Sequence, residues 1–382
     1  MTTFLPVLDD DAPPSVPLAS LGRLTADEKF VRFGAWFSAL AITWLITQRI
    51  LPLPGTAWFL VIWFLTGLLV TAVLTAMTST GVEVRDRLAA SVVTGGALVV
   101  GAALVSTVAF TVVRGWDAVA HLNFFTQDMN GVAPADPLAQ GGILHAITGS
   151  LIELGIAIAI TLPLGIGTAV FMTEVGGRFA QLVRTVVEAM TALPSIVAGL
   201  FIYSFFIKAL GYQLSGLAAS LAIAVMMLPI IARASDVVLR VVPGSLREAS
   251  LALGASRWAT VWHVVLPTAR PGLATAVILG VARGVGETSP VLLTSGASTF
   301  LTLNPSEVMN SLPLFIYETV RSGEPTAINR GFGAATVLLG LVLILFVIAR
   351  LLARPKKYRD PRTSILRTLR LQFTSRKSRS TP

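Results

Sequence analysis

The chain has 382 residues, of which 54% are hydrophobic and 13% charged, and its mean hydropathy is +0.77. The surface of a soluble globular protein does not tolerate such a composition, so we expect a membrane to be the main solvent. Cysteine is absent and the three histidines lie far apart in the sequence, which argues against disulfides and a metal centre. The net charge of +9 does not indicate nucleic-acid binding, because eleven basic residues lie between Arg350 and Arg379, directly after an apolar run.

The predicted elements begin with an acidic, proline-bearing tail over residues 1–30, which lacks the apolar stretch of a signal peptide and is expected to be disordered and cytoplasmic. A bilayer core about 30 Å thick needs about 20 apolar residues per helix. Eight segments meet this length, namely residues 33–51, 57–77, 89–113, 147–173, 185–207, 216–234, 272–295 and 333–352. The expected fold class is an all-α polytopic membrane protein, with an extra two-helix hairpin over residues 31–84, a six-helix core over 85–354 and a basic cytoplasmic tail over 355–382.

The distribution of basic residues predicts the orientation, because short cytoplasmic loops are rich in Lys and Arg. The basic residues after the second, fourth and sixth segments are Arg85, Arg87, Arg178, Arg184, Arg240, Arg247, Arg257 and Arg270. The loops at residues 114–145 and 297–330 carry few basic residues, so we expect them to be external. Both termini are therefore expected to be cytoplasmic.

The loop between the sixth and seventh segments, residues 236–271, has a clear local pattern. Ser245 and Glu248 have the spacing of a capping box, which predicts that a helix begins there. Gly254 predicts a sharp turn, Ser256 the N-cap of a second short helix, and Pro267 the end of that helix. The pattern favours a compact helix–turn–helix that a cytoplasmic partner could grip. An amphipathic interfacial linker is the alternative.

This loop resembles the EAA loop of ABC importer permeases, in which EAA is followed after three residues by Gly and after nine more by I-x-L-P. The matching residues are Glu248, Ala249, Gly254, Leu266 and Pro267. Ser250 stands in the place of the second Ala of the triplet and Val264 in the place of Ile. The resemblance implies a coupling helix that docks on separate cytoplasmic ATPase subunits.

The seventh segment carries two charged residues four positions apart, Arg283 and Glu287, which can pair on one helix face. Exposing such a residue to lipid at a helix centre costs about 2.5–3.5 kcal/mol, so both are expected to face the bundle interior or a transport pathway. Gly284, Gly286 and Pro290 loosen the helix around them. An Arg in a pathway suits an oxyanion, because its planar fork bonds two oxygens at once. A permanent structural ion pair is the alternative.

Residues 282–293 are similar to the signature A-R-x-x-G-E-T-A-P-L-L of PstA-type permeases of the phosphate importer, with Ser289 in place of Ala. Residues 149–169 and 193–201 extend the resemblance, which covers about 89–352 and leaves the first two segments as extra helices. It implies an inner-membrane subunit of a prokaryotic ATP-driven phosphate importer working by alternating access, with Arg283 and Glu287 in the phosphate pathway. The implied partners are cytoplasmic ATPase subunits, a homologous PstC-like second permease, an extracytoplasmic phosphate-binding protein and membrane lipid.

Several alternatives stay open at this point. A permease for another oxyanion, such as molybdate or sulfate, would carry the same EAA loop. A membrane sensor or scaffold that does not transport could use the basic tail to bind a regulator or anionic lipid. An enzyme is disfavoured, because no nucleophile, base and orienting group are clustered in the sequence. No cofactor is expected, since no Lys follows a Gly as in a Walker A loop and residues 284–289 do not complete a dinucleotide-binding motif.

Overall fold

The computed structural model describes residues 26–50, 55–78 and 80–352 of the chain. All regular secondary structure in these ranges is helical, apart from one isolated bridge between Gly296 and Met309. The predicted basic tail and residues 1–25 of the predicted acidic tail lie outside the described residues.

The helices are numbered here in chain order. They are α1 (Ala26–Leu45), α2 (Thr56–Thr78), α3 (Gly81–Val119), α4 (Asn123–Thr126), α5 (Leu144–Val170), α6 (Gly177–Thr191), α7 (Ser195–Ile202), α8 (Gly216–Val241), α9 (Gly244–Ala252), α10 (Arg257–Thr260), α11 (Leu266–Val285), α12 (Ser289–Thr294), α13 (Leu312–Arg321) and α14 (Pro325–Leu352). Four π-helical segments, Ile46–Ile50, Phe171–Val175, Tyr203–Ala209 and Val261–Val265, follow α1, α5, α7 and α10.

Within the described ranges, six helical stretches are long and apolar enough to cross a membrane, or up to seven if one bent pair counts as a single span. The expected all-α polytopic membrane fold is therefore confirmed. The number of eight spanning helices stays a prediction. Most spans run past the apolar segments that predict them: α3, for example, extends beyond residues 89–113 at both ends.

The apolar segment predicted over residues 185–207 does not form one continuous helix. The chain forms α6 and α7 instead, and their axes are bent by 105° at the break between Thr191 and Ser195. Pro194 is the cause, because it lacks an amide hydrogen and holds an extended backbone (φ −60°, ψ 140°) as the N-cap of α7. This bend makes the pair a broken span or a re-entrant loop.

Contacts divide the described residues into two compact units, with the boundary between Thr107 and Val108. In the first unit, α1 and α2 pack against each other through two tryptophans. Trp63 Nε1 donates to the Trp36 carbonyl at 3.2 Å, and the two rings meet edge to face with centroids 5.8 Å apart. An indole N–H in apolar surroundings usually finds an acceptor, and here the Trp36 carbonyl takes that role.

In the second unit, α8 lies between α5 and α11 and carries much of the buried core. Met227 and Ile231 of α8 are almost fully buried, and Gly280 and Gly284 of α11 face them so closely that an added Cβ would collide with their side chains. Small residues permit this close approach of helices where hydrophobic burial alone cannot drive association.

One end of the second unit is closed by the segments between α3 and α5 and between α12 and α13. Arg330 of α14 is only 1% exposed, and its guanidinium clamps the first of these segments. It donates to the carbonyls of Pro134 (3.4 Å), Asp136 (3.0 Å), Pro137 (2.8 Å) and Gln140 (3.0 Å). The opposite end, beyond the last turn of α8, carries α9.

Candidate functional site

The two charged residues of the seventh predicted segment lie at a break between helices. The prediction of one helix over residues 272–295 is wrong, because α11 ends at Val285 and α12 begins at Ser289. Gly286 stands at the C-cap of α11, and Pro290 in the first turn of α12 has no amide hydrogen to continue the helix. Arg283 thus occupies the last turn of α11, and Glu287 lies in the break.

Arg283 and Glu287 form the expected ion pair, with Arg283 Nε 3.0 Å from Glu287 Oε1. The contact is Coulombic rather than a directed hydrogen bond, since Glu287 Oε1 has no hydrogen-bond partner among the described residues. The two side chains differ sharply in exposure, 55% for Arg283 and 7% for Glu287. The guanidinium is therefore accessible to a ligand from one side, while the carboxylate is fixed in the protein interior.

A second acidic residue, Glu153 of α5, approaches the same place. Its side chain is 1% exposed, and its Oε1 lies 2.9 Å from Ser295 Oγ just after α12. Glu153 and Glu287 both line one small cavity at the junction of α5, α8 and α11–α14, together with Ser150 and Ser311. The cavity volume of about 10 Å³ is room for about one water molecule.

Glu153 is the residue that the sequence interpretation missed. It lies close to the start of an apolar segment, which favours an interfacial position, whereas α5 begins at Leu144 and places it more than two turns inside the helix. A signal was nevertheless present in the sequence. Ser150, Glu153, Ala157 and Thr161 recur at helical spacing, and all four are buried on one face of α5.

The loop predicted over residues 236–271 is shorter than expected, because α8 continues to Val241 and the next continuous helical stretch begins at Arg257. The predicted capping box is wrong: α9 begins at Gly244, its N-cap is Pro243, and no side chain caps it. Proline supplies the extended backbone that starts this helix, so Ser245 is drawn into the first turn and cannot act as the cap.

The predicted turn and second cap are confirmed. Gly254 has a φ of +83°, a left-handed conformation that side-chain-bearing residues rarely adopt. Ser256 Oγ accepts a hydrogen bond from the Ala259 amide at 3.2 Å as the N-cap of α10. Ser250, the departure from the EAA triplet, lies with its Oγ 2.9 Å from Thr260 Oγ1 and so ties α9 to α10.

The prediction that Pro267 ends the second helix is wrong, because the helical stretch continues from Arg257 to Val285. The π-helical turn Val261–Val265 directly precedes Leu266 and Pro267. A wider turn there relieves the clash that a proline ring makes with the carbonyl four residues earlier. Leu266 and Pro267 are therefore the first residues of α11, inside the spanning stretch that begins at Arg257.

The outer surface of α9 is open. No residue of α9 is buried, Glu248 and Ala249 are exposed, and Leu253 at its C-cap is 90% exposed. Together with Leu246 and Leu251, which are 40% and 44% exposed, Leu253 gives α9 an apolar outer surface.

Arg247 joins α9 to the ends of two other helices, through an ion pair to one and hydrogen bonds to the other. Arg247 Nε and Nη2 lie 3.1 Å and 2.9 Å from Glu174 Oε1, in the π-helical end of α5. The same guanidinium donates to the Val242 and Leu239 carbonyls at the end of α8, at 2.7 Å and 2.9 Å. One side chain therefore contacts the ends of both α5 and α8.

The chain is similar to known transport proteins. Residues 161–357 match the family model described as "Binding-protein-dependent transport system inner membrane component". The chain is 40% identical over 243 residues to the phosphate transport system permease protein PstA 1 of Mycobacterium tuberculosis (strain ATCC 25618 / H37Rv), which covers 63% of this chain and 78% of that protein. It is 33% identical over 262 residues to the phosphate transport system permease protein PstA of Haemophilus influenzae, covering 68% and 91%.

Among solved structures, the chain is similar to a chain of the MetNI methionine ABC transporter in an inward-facing conformation. That likeness has a TM-score of 0.41 and 23% sequence identity, and it covers 56% of this chain and 91% of that chain. The family assignment is made on the sequence matches, which span just over half of the chain for the family model and most of the length of both PstA relatives. The chain therefore belongs to the binding-protein-dependent transport system inner membrane components, as a multi-pass permease subunit of the PstA type.

Proposed function

We propose that this chain is the transmembrane permease subunit of an ATP-driven, binding-protein-dependent importer of inorganic phosphate, working by alternating access. The observation that carries the proposal is the Arg283–Glu287 pair at a helix break in a chain that is 40% identical to a phosphate permease. Both termini are cytoplasmic in this proposal, which places α9 on the cytoplasmic side.

Arg283 is the proposed phosphate-contacting residue. Its side chain is more than half exposed while its partner Glu287 is buried, so an incoming anion can reach the guanidinium without displacing the carboxylate from its place. The planar fork of Arg binds two phosphate oxygens at once and weakens its contact with Glu287 as it does so. Once phosphate leaves, the pair with Glu287 forms again, so that Arg283 is not left as an unpaired charge in the membrane.

The surface of α9 is the proposed docking site for the ATPase. Glu248, Ala249 and Gly254 shape the exposed helix and its turn, and Leu266 and Pro267 begin α11. ATP hydrolysis occurs in separate cytoplasmic ATPase subunits, and the closure of these subunits moves α9 as a knob held in a groove. A homologous PstC-like permease completes the pathway, an extracytoplasmic binding protein delivers phosphate, and membrane lipid surrounds the spanning helices.

Competition between anions tests the substrate. Proteoliposomes that hold this chain with its binding protein, second permease and ATPase are supplied with ATP and radiolabelled phosphate, and unlabelled phosphate, sulfate or molybdate is added in excess. We expect only unlabelled phosphate to suppress uptake. Suppression by sulfate or molybdate instead would assign the permease to another oxyanion, and uptake that is unaffected by Glu248→Ala together with Gly254→Ala would favour a role without ATPase docking.

A further inference from the structure

The small cavity between Glu153 and Glu287 is an unusual surrounding for two acidic side chains. Both are buried, at 1% and 7% exposure. Glu153 Oε2 and the Ser311 hydroxyl, which is also buried, have no hydrogen-bond partner in the part of the chain that the structure describes. Two ionised carboxylates beside one water-sized space would repel each other strongly in a medium of low dielectric constant. The charge state of the two carboxyl groups therefore depends on the hydrogen bonds and charges around them.

The hydrogen bonds of Ser295 indicate the charge state of Glu153. Ser295 Oγ lies 2.6 Å from the Met309 carbonyl oxygen and 2.9 Å from Glu153 Oε1. A serine hydroxyl has a single hydrogen to donate, and a carbonyl oxygen can only accept. The shorter contact takes the hydrogen, because otherwise two oxygens without a shared hydrogen would stand 2.6 Å apart. With the hydrogen in the shorter contact, the contact with Glu153 is satisfied when that carboxyl group is protonated and donates to the hydroxyl oxygen.

No cationic side chain among the described residues forms an ion pair with Glu153. Arg283 pairs with Glu287, and no ion pair to Glu153 is present in the described ranges. Other titratable groups lie on α5 and its π-helical end, and on the helices that line the cavity or pack against α5. They are His145, Glu174, Arg233, Asp236, Arg240, Arg270, Arg283, Glu287, Tyr317, Glu318, Arg321, Arg330 and Arg350. Of these, only Glu287 lines the cavity. An ionised Glu153 would thus be a buried charge without compensation.

We propose that Glu153 carries a proton in this conformation and that the Glu153–Glu287 cavity is a proton-binding site. The consequence for transport rests on the proposed phosphate pathway. With Glu153 neutral, Glu287 is the partner charge of Arg283 among the described residues, and the guanidinium can exchange it for phosphate. When alkaline pH removes the proton to water, a second negative charge competes with phosphate for Arg283, and uptake falls.

Infrared spectroscopy of the full chain in lipid tests the proton directly. The difference spectrum of wild type minus Glu153→Gln at neutral pH should contain the carbonyl stretch of a protonated carboxylic acid. Glu188→Gln, which removes an exposed carboxylate of α6, is the matched control and should not remove that band. Ser295→Ala should shift the band without abolishing it, because the carboxylic acid loses its acceptor.

Absence of the band from the difference spectrum would overturn the proposal. So would a band that disappears when sodium chloride replaces choline chloride at constant ionic strength, because the cavity would then hold a small cation in place of the proton. This spectroscopic test does not require transport, so a chain that carries no phosphate can still show the band.

Uptake as a function of pH tests the consequence. Wild-type phosphate uptake should fall several-fold as the pH rises from neutral to alkaline, and Glu153→Gln should retain uptake with a flatter profile. Identical profiles for the two chains, with the band present, would remove the effect on transport and leave the proton site in place.

Discussion

Arg247 of α9 forms an ion pair with Glu174 at the end of α5, although the two residues are 73 positions apart in the sequence. Two nitrogens of Arg247 lie within 3.1 Å of one carboxylate oxygen. Both side chains are largely shielded, with exposures of 24% and 16%. A charge-assisted contact of this kind, shielded from solvent, is stronger than an exposed surface ion pair. It holds α9 against the end of α5, so we expect the two to move together when a partner pulls on α9.

Breaking this contact should uncouple ATP hydrolysis from transport. We expect Arg247→Gln or Glu174→Gln to lower phosphate uptake about tenfold, which corresponds to a coupling energy of about 1.4 kcal/mol, within the range for directly contacting residues. ATP hydrolysis by the assembled complex should fall much less. The charge-swapped double variant Arg247→Glu with Glu174→Arg should recover part of the loss.

Arg257→Gln is the control for the Arg247 experiment, since it removes an exposed basic residue near the same surface. Uptake that falls equally in the control and in Arg247→Gln would trace the effect to surface charge. Full activity of both single variants would show that the contact is dispensable.

The turn after α9 should depend on glycine at position 254. Its φ of +83° makes any side chain with a Cβ unfavourable by about 1–2 kcal/mol, although no neighbouring atom would touch that Cβ. Gly254→Ala should therefore reduce uptake several-fold while the subunits still assemble, and Gly254→Asn should be milder because Asn tolerates this conformation. Assembly is read by co-purification and uptake in proteoliposomes.

Gly244→Ala is the matched control for this turn, because Gly244 lies at the start of the same helix, without a left-handed backbone, and faces open space. It should leave uptake unchanged. A loss in Gly244→Ala as large as that in Gly254→Ala would assign the effect to the surface of α9 instead of to the backbone conformation.

The sequence predicts the apolar spans well and the ends of helices poorly. Hydropathy reports the stretch that lies in lipid, whereas a helix continues into the polar region for as long as its backbone hydrogen bonds are satisfied, as α8 does to Val241. Breaks inside apolar segments escape hydropathy altogether. Pro194 and the pair Gly286 and Pro290 leave the composition apolar while they interrupt the backbone.

The candidate site likewise contains contacts that the sequence predicts and contacts that it does not. Arg283 and Glu287 could be paired from their spacing, because both lie close together along one stretch of chain. Glu153, Glu174 and Arg330 meet their partners across 73 to 196 positions of sequence, so only the packed fold reveals them. Local capping was predicted correctly at Ser256 and wrongly at Ser245, since Pro243 supplies the competing start of α9.

Arg330 should be essential for the stability of the segment between α4 and α5. Its guanidinium is fully buried and serves four carbonyl groups, and the three donors of Lys on a flexible stem cannot reproduce this fork. We expect Arg330→Lys to destabilise the second unit by about 3 kcal/mol, because it leaves buried carbonyls unpaired. Thermal unfolding and protease cleavage within residues 134–140 measure the loss.

For this prediction the control is Arg321→Lys on α13, an exposed residue whose guanidinium contacts the Tyr317 hydroxyl at 2.7 Å. Its unfolding temperature and cleavage pattern should match those of the wild type. An Arg330→Lys chain that unfolds and resists protease like the wild type would contradict the role of the clamp.

The most direct measurement compares radiolabelled phosphate uptake by wild type and Arg283→Gln in proteoliposomes that hold the assembled importer. Subunit stoichiometry and ATP hydrolysis are measured on the same vesicles, so that failed assembly cannot be mistaken for failed transport. We predict that the variant assembles, still hydrolyses ATP and loses phosphate uptake by at least about a hundredfold, because a neutral amide removes the charged fork that binds the anion. Uptake that persists in the variant at the wild-type rate would contradict a role of Arg283 in phosphate passage and return the pair with Glu287 to helix packing.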